Sequence, residues 1–156
     1  MSAGPLVAER GQMWTLHLAA SVREVFEMML GTSVEFEEQA ETEFEVTALV
    51  GLAGALSGNF LLRCRRLGLE RMGECMLGSA VGLEESVDAL GEVCNMLAGS
   101  WKRRIPELAE RCMLSVPTVV LGSSYEVRSP DALELLEQQF VFCGEPVSLR
   151  LQVQKS

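Results

Sequence analysis

Apolar and polar positions repeat along this chain with two different periods, and the changes of period mark out its elements. Over residues 12–30 the apolar side chains Met13, Leu16, Ala20, Val25, Met28 and Met29 recur near helical spacing, and Gly31 follows as the left-handed residue on which helices often end. Residues 1–11 contain Gly and Pro and are expected to be a flexible lead-in, leaving one domain over residues 12–156. Residues 32–45 carry Glu35, Glu37, Glu38, Glu41, Glu43 and Glu45 with little apolar content, which predicts a solvated connection with a short edge strand at its start. Two aliphatic runs, 44–52 and 55–64, are separated by Ala53 and Gly54 and read as an antiparallel hairpin. Helical spacing returns over 67–77 and stops at Gly78, then again over 83–105, where Pro106 limits it. Residues 115–121 are β-branched and contain Pro117 near their start, as an edge strand allows, and Tyr125 to Val127 extend a second strand. Residues 132–142 are ambiguous, since Leu133, Leu136 and Phe140 fit a helix while the end, F-V-F-C, fits a strand. The turn at 143–146 and the alternating V-S-L-R-L-Q-V after it favour a closing hairpin. The fold class expected is α+β, with helices packed on a largely antiparallel sheet.

A chain of 156 residues buries about 70% of the surface its unfolded form exposes, so it folds without staples. Its formal charge of −9 repels phosphate backbones and anionic lipid, which argues against nucleic-acid and membrane-surface roles. Cys64, Cys75, Cys94, Cys112 and Cys143 form no C-x-x-C pair and read as small buried apolar groups in a reducing cytoplasm. No stretch reaches the roughly 18 apolar residues of a membrane span. His17 is the one histidine, and without a G-x-S-x-G motif to serve it reads as a helix-packing residue. Gly51, Gly54 and Gly58 suggest a phosphate loop, but no Lys and Ser/Thr follow them to hold phosphate or Mg²⁺, so they are assigned to the hairpin.

The segment L-E-E-S-V-D-A-L-G-E-V-C-N-M-L-A-G-S-W, residues 83–101, carries more information. With Leu83 at the origin and about 100° per residue, Val87, Leu90, Cys94, Leu97, Ala98 and Trp101 lie within about 60° of it and form a core face. Asp88, Glu92, Asn95 and Gly99 fall at about 140°, 180°, 120° and 160°, one stripe on the opposite side. Solvated charge explains Asp88 and Glu92. It does not explain Asn95 and Gly99, both poor mid-helix residues, whose alignment suggests that something approaches the helix there and meets an amide.

The pattern D/S-x-x-x-E-x-x-N-x-x-x-G, here Asp88, Glu92, Asn95 and Gly99, resembles that of the CheC, CheX and FliY phosphatases of bacterial chemotaxis. The likeness is nearest to CheX: the hairpin V-G-L-A-G-A-L-S-G-N-F-L-L, the M-L-G at Gly78 and P-T-V-V-L-G at 117–122 occur in the same order, covering about residues 16–153. The resemblance implies a CheX-like fold, a homodimer through sheet edges, and removal of phosphate from a CheY-like response regulator.

An aspartyl phosphate on a receiver is attacked by water in line, and the receiver itself holds Mg²⁺ and a Lys against the phosphoryl group, so no cofactor is expected on this chain. The task left is to place the water, which suits an amide because it donates and accepts without titrating. Asn95 takes that role. The resemblance implies that Glu92 pairs with a receiver lysine, while Gly99 would let the partner backbone come near and Asp88 would make a rim contact. Glu24, Glu27 and Gly31 repeat the spacing with glutamate in the Asn position, which would repel phosphate, so one working site per chain is expected. Two other functions stay open: a module that binds a receiver or motor component without turnover, and a structural dimer module.

Overall fold

The computed structural model describes residues 4–38, 42–123, 127 and 133–154. Helix α1 (Gly4–Met29) starts well before residue 12, so most of the stretch expected as a lead-in is helical. Only some of the apolar positions that marked this helix face the core. Trp14, Leu18, Val22, Val25 and Phe26 are buried, whereas Met13, Leu16, Met28 and Met29 face solvent, Met28 at 77% exposure. The buried residues share one face of the helix, and ring packing holds that face down: Phe26 meets Phe140 and Phe142 edge-on at 5.1 and 5.2 Å.

After α1 come β1 (Glu35–Glu37), β2 (Val46–Gly54), β3 (Gly58–Cys64), α2 (Arg66–Leu77), α3 (Leu83–Arg103), β4 (Cys112–Leu114), β5 (Thr118–Leu121), β6 (Leu133–Phe142) and β7 (Glu145–Gln154). The strands form one antiparallel sheet in the order β1-β6-β7-β3-β2-β4, with β5 also on β2. The fold is thus α+β, as expected. The acidic connection contributes β1 at the sheet edge. The ambiguous segment at 132–142 resolves as the strand β6, because a full register with β7 pairs its backbone from Leu133 to Phe142. Its two-residue turn, Cys143 and Gly144, has φ of 50° and 77°, the left-handed pair whose twist matches the strands it joins.

Ala53 and Gly54 are not the hairpin link. They belong to β2 and pair with Met113 and Cys112 of β4, a strand the sequence pattern did not reveal, and residues 55–57 make the turn. Only glycine fits at 54, where φ is +113° and a Cβ would lie 2.3 Å from the Arg111 carbonyl oxygen. The strand expected from Tyr125 lies outside the described residues except for Val127, which is in no strand.

On the inner face of the sheet Val46, Ala48, Val50 and Leu52 of β2, Phe60 and Leu62 of β3, and Val147, Leu149 and Leu151 of β7 join the helices in one core. α2 ends as expected on Gly78, left-handed at φ 78°. Among the described residues no helix is long and apolar enough to cross a membrane.

On the outer face Glu137 of β6 is only 14% exposed and accepts hydrogen bonds from Arg150 Nε at 2.6 Å, Ser148 Oγ at 2.7 Å and Arg63 Nη2 at 3.3 Å. Burial pushes its carboxyl up, but the hydrogen bonds from Arg150 and Ser148 and the charges of Arg150 and Arg63 together outweigh burial and hold it below the usual range. A carboxylate depressed in the fold stabilises above its unfolded value of about 4.3, and that stabilisation is lost as pH falls through the lower folded value. Glu137→Gln is expected to cost roughly 1–3 kcal/mol at pH 7, with the gap to wild type closing below about pH 4, as urea denaturation at the two pH values will register.

Candidate functional site

Charge and capping orient α3 before any packing does. Gly82 precedes it in extended conformation, Glu84 and Glu85 occupy its first turn, and Lys102 and Arg103 its last, the order that the helix dipole favours. Packing then sets its rotation. Leu90, Cys94, Leu97, Ala98 and Trp101 are fully buried, and the Trp101 ring packs edge-on against Trp14 and Phe60, each at 5.3 Å, while its Nε1–H donates to the Trp14 carbonyl at 3.1 Å. Val87 is only partly buried and Leu83 is exposed, so the core face begins at the second turn.

With that face down, the stripe of Asp88, Glu92, Asn95 and Gly99 runs along the opposite ridge. Asp88 and Glu92 are exposed, Asn95 is half-buried and Gly99 is buried. Exposure falls along the ridge because its second half runs beside α1: Asn95 and Gly99 line a groove of about 370 Å³ whose far wall carries Met28 and Met29. Among the described residues, Asp88, Glu92 and Asn95 have no hydrogen-bond or ion-pair partner. The Asn95 carboxamide therefore presents an unused donor and acceptor to whatever enters the groove.

Gly99 is less open than the sequence suggests. Arg103 Nη1 lies 3.2 Å from where its Cβ would stand, so the space that the missing side chain leaves is taken by this chain's own guanidinium. Arg103 was not singled out from the sequence, and Met28 and Met29 were read there only as part of a helical period, not as groove residues. Gly91 is a second glycine without an earlier role, and the Pro117 ring lies 3.4 Å from where its Cβ would stand, so the two elements pack closely there.

The repeat on α1 does not form a second ridge. Glu24 accepts a hydrogen bond from Ser100 Oγ at 3.3 Å and pairs with Arg104, which ties α1 to α3. Glu27 is exposed, and Gly31 lies beyond the helix at φ 67°.

Other candidate chemistry falls away from the ridge. A larger cavity of about 790 Å³ is lined by Trp14, His17, Arg104 and Arg111 among others, and by none of the stripe residues. His17 stands half-buried in its wall. Cys64, Cys94 and Cys112 are buried, as expected, but Cys75 is half-buried and Cys143, on the β6–β7 turn, is exposed. Burial pushes the Cys94 thiol up to about 12, and burial followed by the charges of Glu145 and Glu45 does the same for Cys64, so both are protonated and inert near neutral pH. No three His, Cys, Asp or Glu side chains converge as metal ligands among the described residues.

The sequence model of the family described as Chemotaxis phosphatase CheX matches residues 46–141, which contain the whole ridge. Solved structures share the fold. The chemotaxis protein CheX from Vibrio vulnificus is similar at a TM-score of 0.77 and 21% identity, over 90% of this chain and 96% of that one. CheX from Desulfovibrio desulfuricans is similar at 0.76 and 17%, over 91% and 99%. A CheX–CheY–BeF3–Mg²⁺ complex from Borrelia burgdorferi is similar at 0.75 and 16%, over 91% and 98%. No curated protein sequence matches the chain.

Glu24 acts here as a tie between helices. Glu24→Gln is expected to lower stability by about 1 kcal/mol, the value of a partly exposed pair, and to lower the melting temperature by roughly 2–4 °C in a thermal unfolding scan.

Proposed function

The chain belongs to the chemotaxis phosphatase CheX family, and from that premise we propose that it hydrolyses the aspartyl phosphate of a CheY-like receiver, with Asn95 holding the attacking water. One observation carries this reading: a carboxamide with no partner among the described residues stands on an accessible helix ridge, one turn beyond a carboxylate, Glu92, that likewise has none among them. The relative from Borrelia burgdorferi, solved with CheY, BeF3 and Mg²⁺, supports the choice of partner.

In the reaction, water oxygen bonds to phosphorus as the phosphorus–oxygen bond to the receiver aspartate breaks. The aspartate leaves as carboxylate and inorganic phosphate is released. The receiver supplies Mg²⁺ and a lysine against the phosphoryl oxygens, so this chain contributes position more than charge. The Asn95 C=O accepts a hydrogen bond from the water and its N–H₂ donates to the same oxygen or to a phosphoryl oxygen, which keeps the attack in line. Glu92 pairs with the receiver lysine and sets how deeply Asn95 enters. Asp88, one turn earlier, meets the partner's rim.

A hundredfold acceleration over the receiver's own hydrolysis needs about 2.7 kcal/mol of barrier lowering, which one preorganised hydrogen-bonding group can supply. No thiolate, histidine or metal on this chain is required. Because Glu24 is engaged by Arg104, the reading has one working site per chain. Two copies would join through the free strand edges of the sheet, in the cytoplasm where receivers are found.

Release of phosphate from a phosphorylated CheY-like receiver tests the reading. Asn95→Ala is expected to lose about a hundredfold in turnover while still binding. Glu92→Ala should weaken binding about fivefold and lower turnover with it. Equal release with and without the wild-type protein would replace hydrolysis by docking alone.

A further inference from the structure

Three consecutive basic residues, Lys102, Arg103 and Arg104, close α3, and the structure uses them differently. Lys102 donates its ammonium hydrogen bond to the Cys112 carbonyl and so ties α3 to β4. Arg104 pairs with Glu24 on α1. Arg103 is exposed and, among the described residues, has no ion-pair or hydrogen-bond partner. Complementing the helix dipole explains a basic residue here, but Lys102 and Arg104 already provide that.

The position of the guanidinium is more specific. Helical side chains lean toward the N-terminus, and Arg103 extends that way until its Nη1 lies over Gly99, 3.2 Å from where a Cβ would stand. Any larger residue at 99 would push it outward by a few tenths of an ångström. Gly99 therefore acts as a saddle that keeps the guanidinium low on the ridge, one turn past Asn95 and in the same groove. The ridge then reads, in order, two carboxylates, a neutral amide and one cation, the charged groups without ion-pair partners among the described residues, on a chain whose formal charge is −9.

We propose that Arg103 is a specificity-determining contact for the receiver, pairing with a carboxylate on the rim of its phosphorylation pocket. This deepens the phosphatase reading and rests on it. A receiver that holds Mg²⁺ must present carboxylates around the ion, so its pocket rim carries acidic groups as well as the lysine assigned to Glu92. Opposite charges on either side of Asn95 admit the partner in one orientation, because a reversed partner sets like charges against each other at both ends. Met28 and Met29 supply an adaptable apolar lip beside the polar contacts, continuous with the site.

The test uses a CheY-like receiver loaded with BeF3 and Mg²⁺ for affinity, and the phosphorylated receiver for KM and kcat. Arg103→Ala should bind about fivefold more weakly and raise KM to match, with kcat within about twofold of wild type. Arg103→Glu should lose at least about tenfold, and Arg103→Lys should recover most of the affinity. The defect should shrink as salt rises from about 0.05 to 0.5 M, since the pair lies at the surface. Arg111→Ala, an exposed cation away from the ridge, should bind as wild type does. Wild-type affinity for Arg103→Ala, or a fall in kcat with unchanged affinity, overturns the proposal while leaving the phosphatase reading intact. Wild-type protein that neither binds nor hydrolyses overturns both.

Discussion

A buried indole holds the central helix in the one rotation that leaves its candidate ridge outward. Trp101 is fully enclosed, wedged edge-on between Trp14 and Phe60, and its N–H has a backbone acceptor on α1. Turning α3 by one residue position, about 100°, would strand that donor and drive Asn95 into the core. The same packing that stabilises the domain therefore aims the carboxamide, and the supports on either side of α3 extend this control along its length. Glu24 with Arg104 and Ser100 fixes α1 against its C-terminal half, Lys102 fixes β4 there, and Pro117 sits against Gly91 nearer its middle.

On the proposed reading, the ridge must admit an anionic phosphoryl group to a chain whose formal charge is −9. Glu137 is paired within the fold by Arg63 and Arg150, whereas among the described residues Asp88, Glu92 and Arg103 on the ridge have no ion-pair partner. An uncharged amide at the centre suits a phosphoryl group that would be repelled by a carboxylate. The proposed hydrolysis by placement would call on neither the histidine, which lies in the wall of a separate cavity, nor the Cys94 thiol, which is buried on the opposite face of α3.

Elements with a single unambiguous period were legible in the chain. The helix ending at Gly78, the long helix stopped ahead of Pro106 and the two hairpins follow from local spacing and turn chemistry. The first hairpin, however, turns at 55–57 and not at Ala53 and Gly54, and the second turns on Cys143 and Gly144 alone, with Glu145 and Pro146 already in β7. Where two readings were locally equal, the sheet decided. α1 carries apolar residues on more than one side, and the side bearing Trp14 and Phe26 is the one that packs against rings. Residues 133–142 form a strand because β7 offers a complete register. β4 escaped notice since three residues beside a loop carry no periodicity.

At the ridge the division is sharper. One helix wheel was enough to align Asp88, Glu92, Asn95 and Gly99, because an α-helix converts fixed spacing into a shared face whatever surrounds it. Burial along that face, the methionine wall across the groove and the placement of Arg103 over Gly99 depend on how α1 crosses α3. That crossing is set by contacts between residues some eighty positions apart, such as Trp14 with Trp101 and Glu24 with Arg104, and no local pattern encodes them.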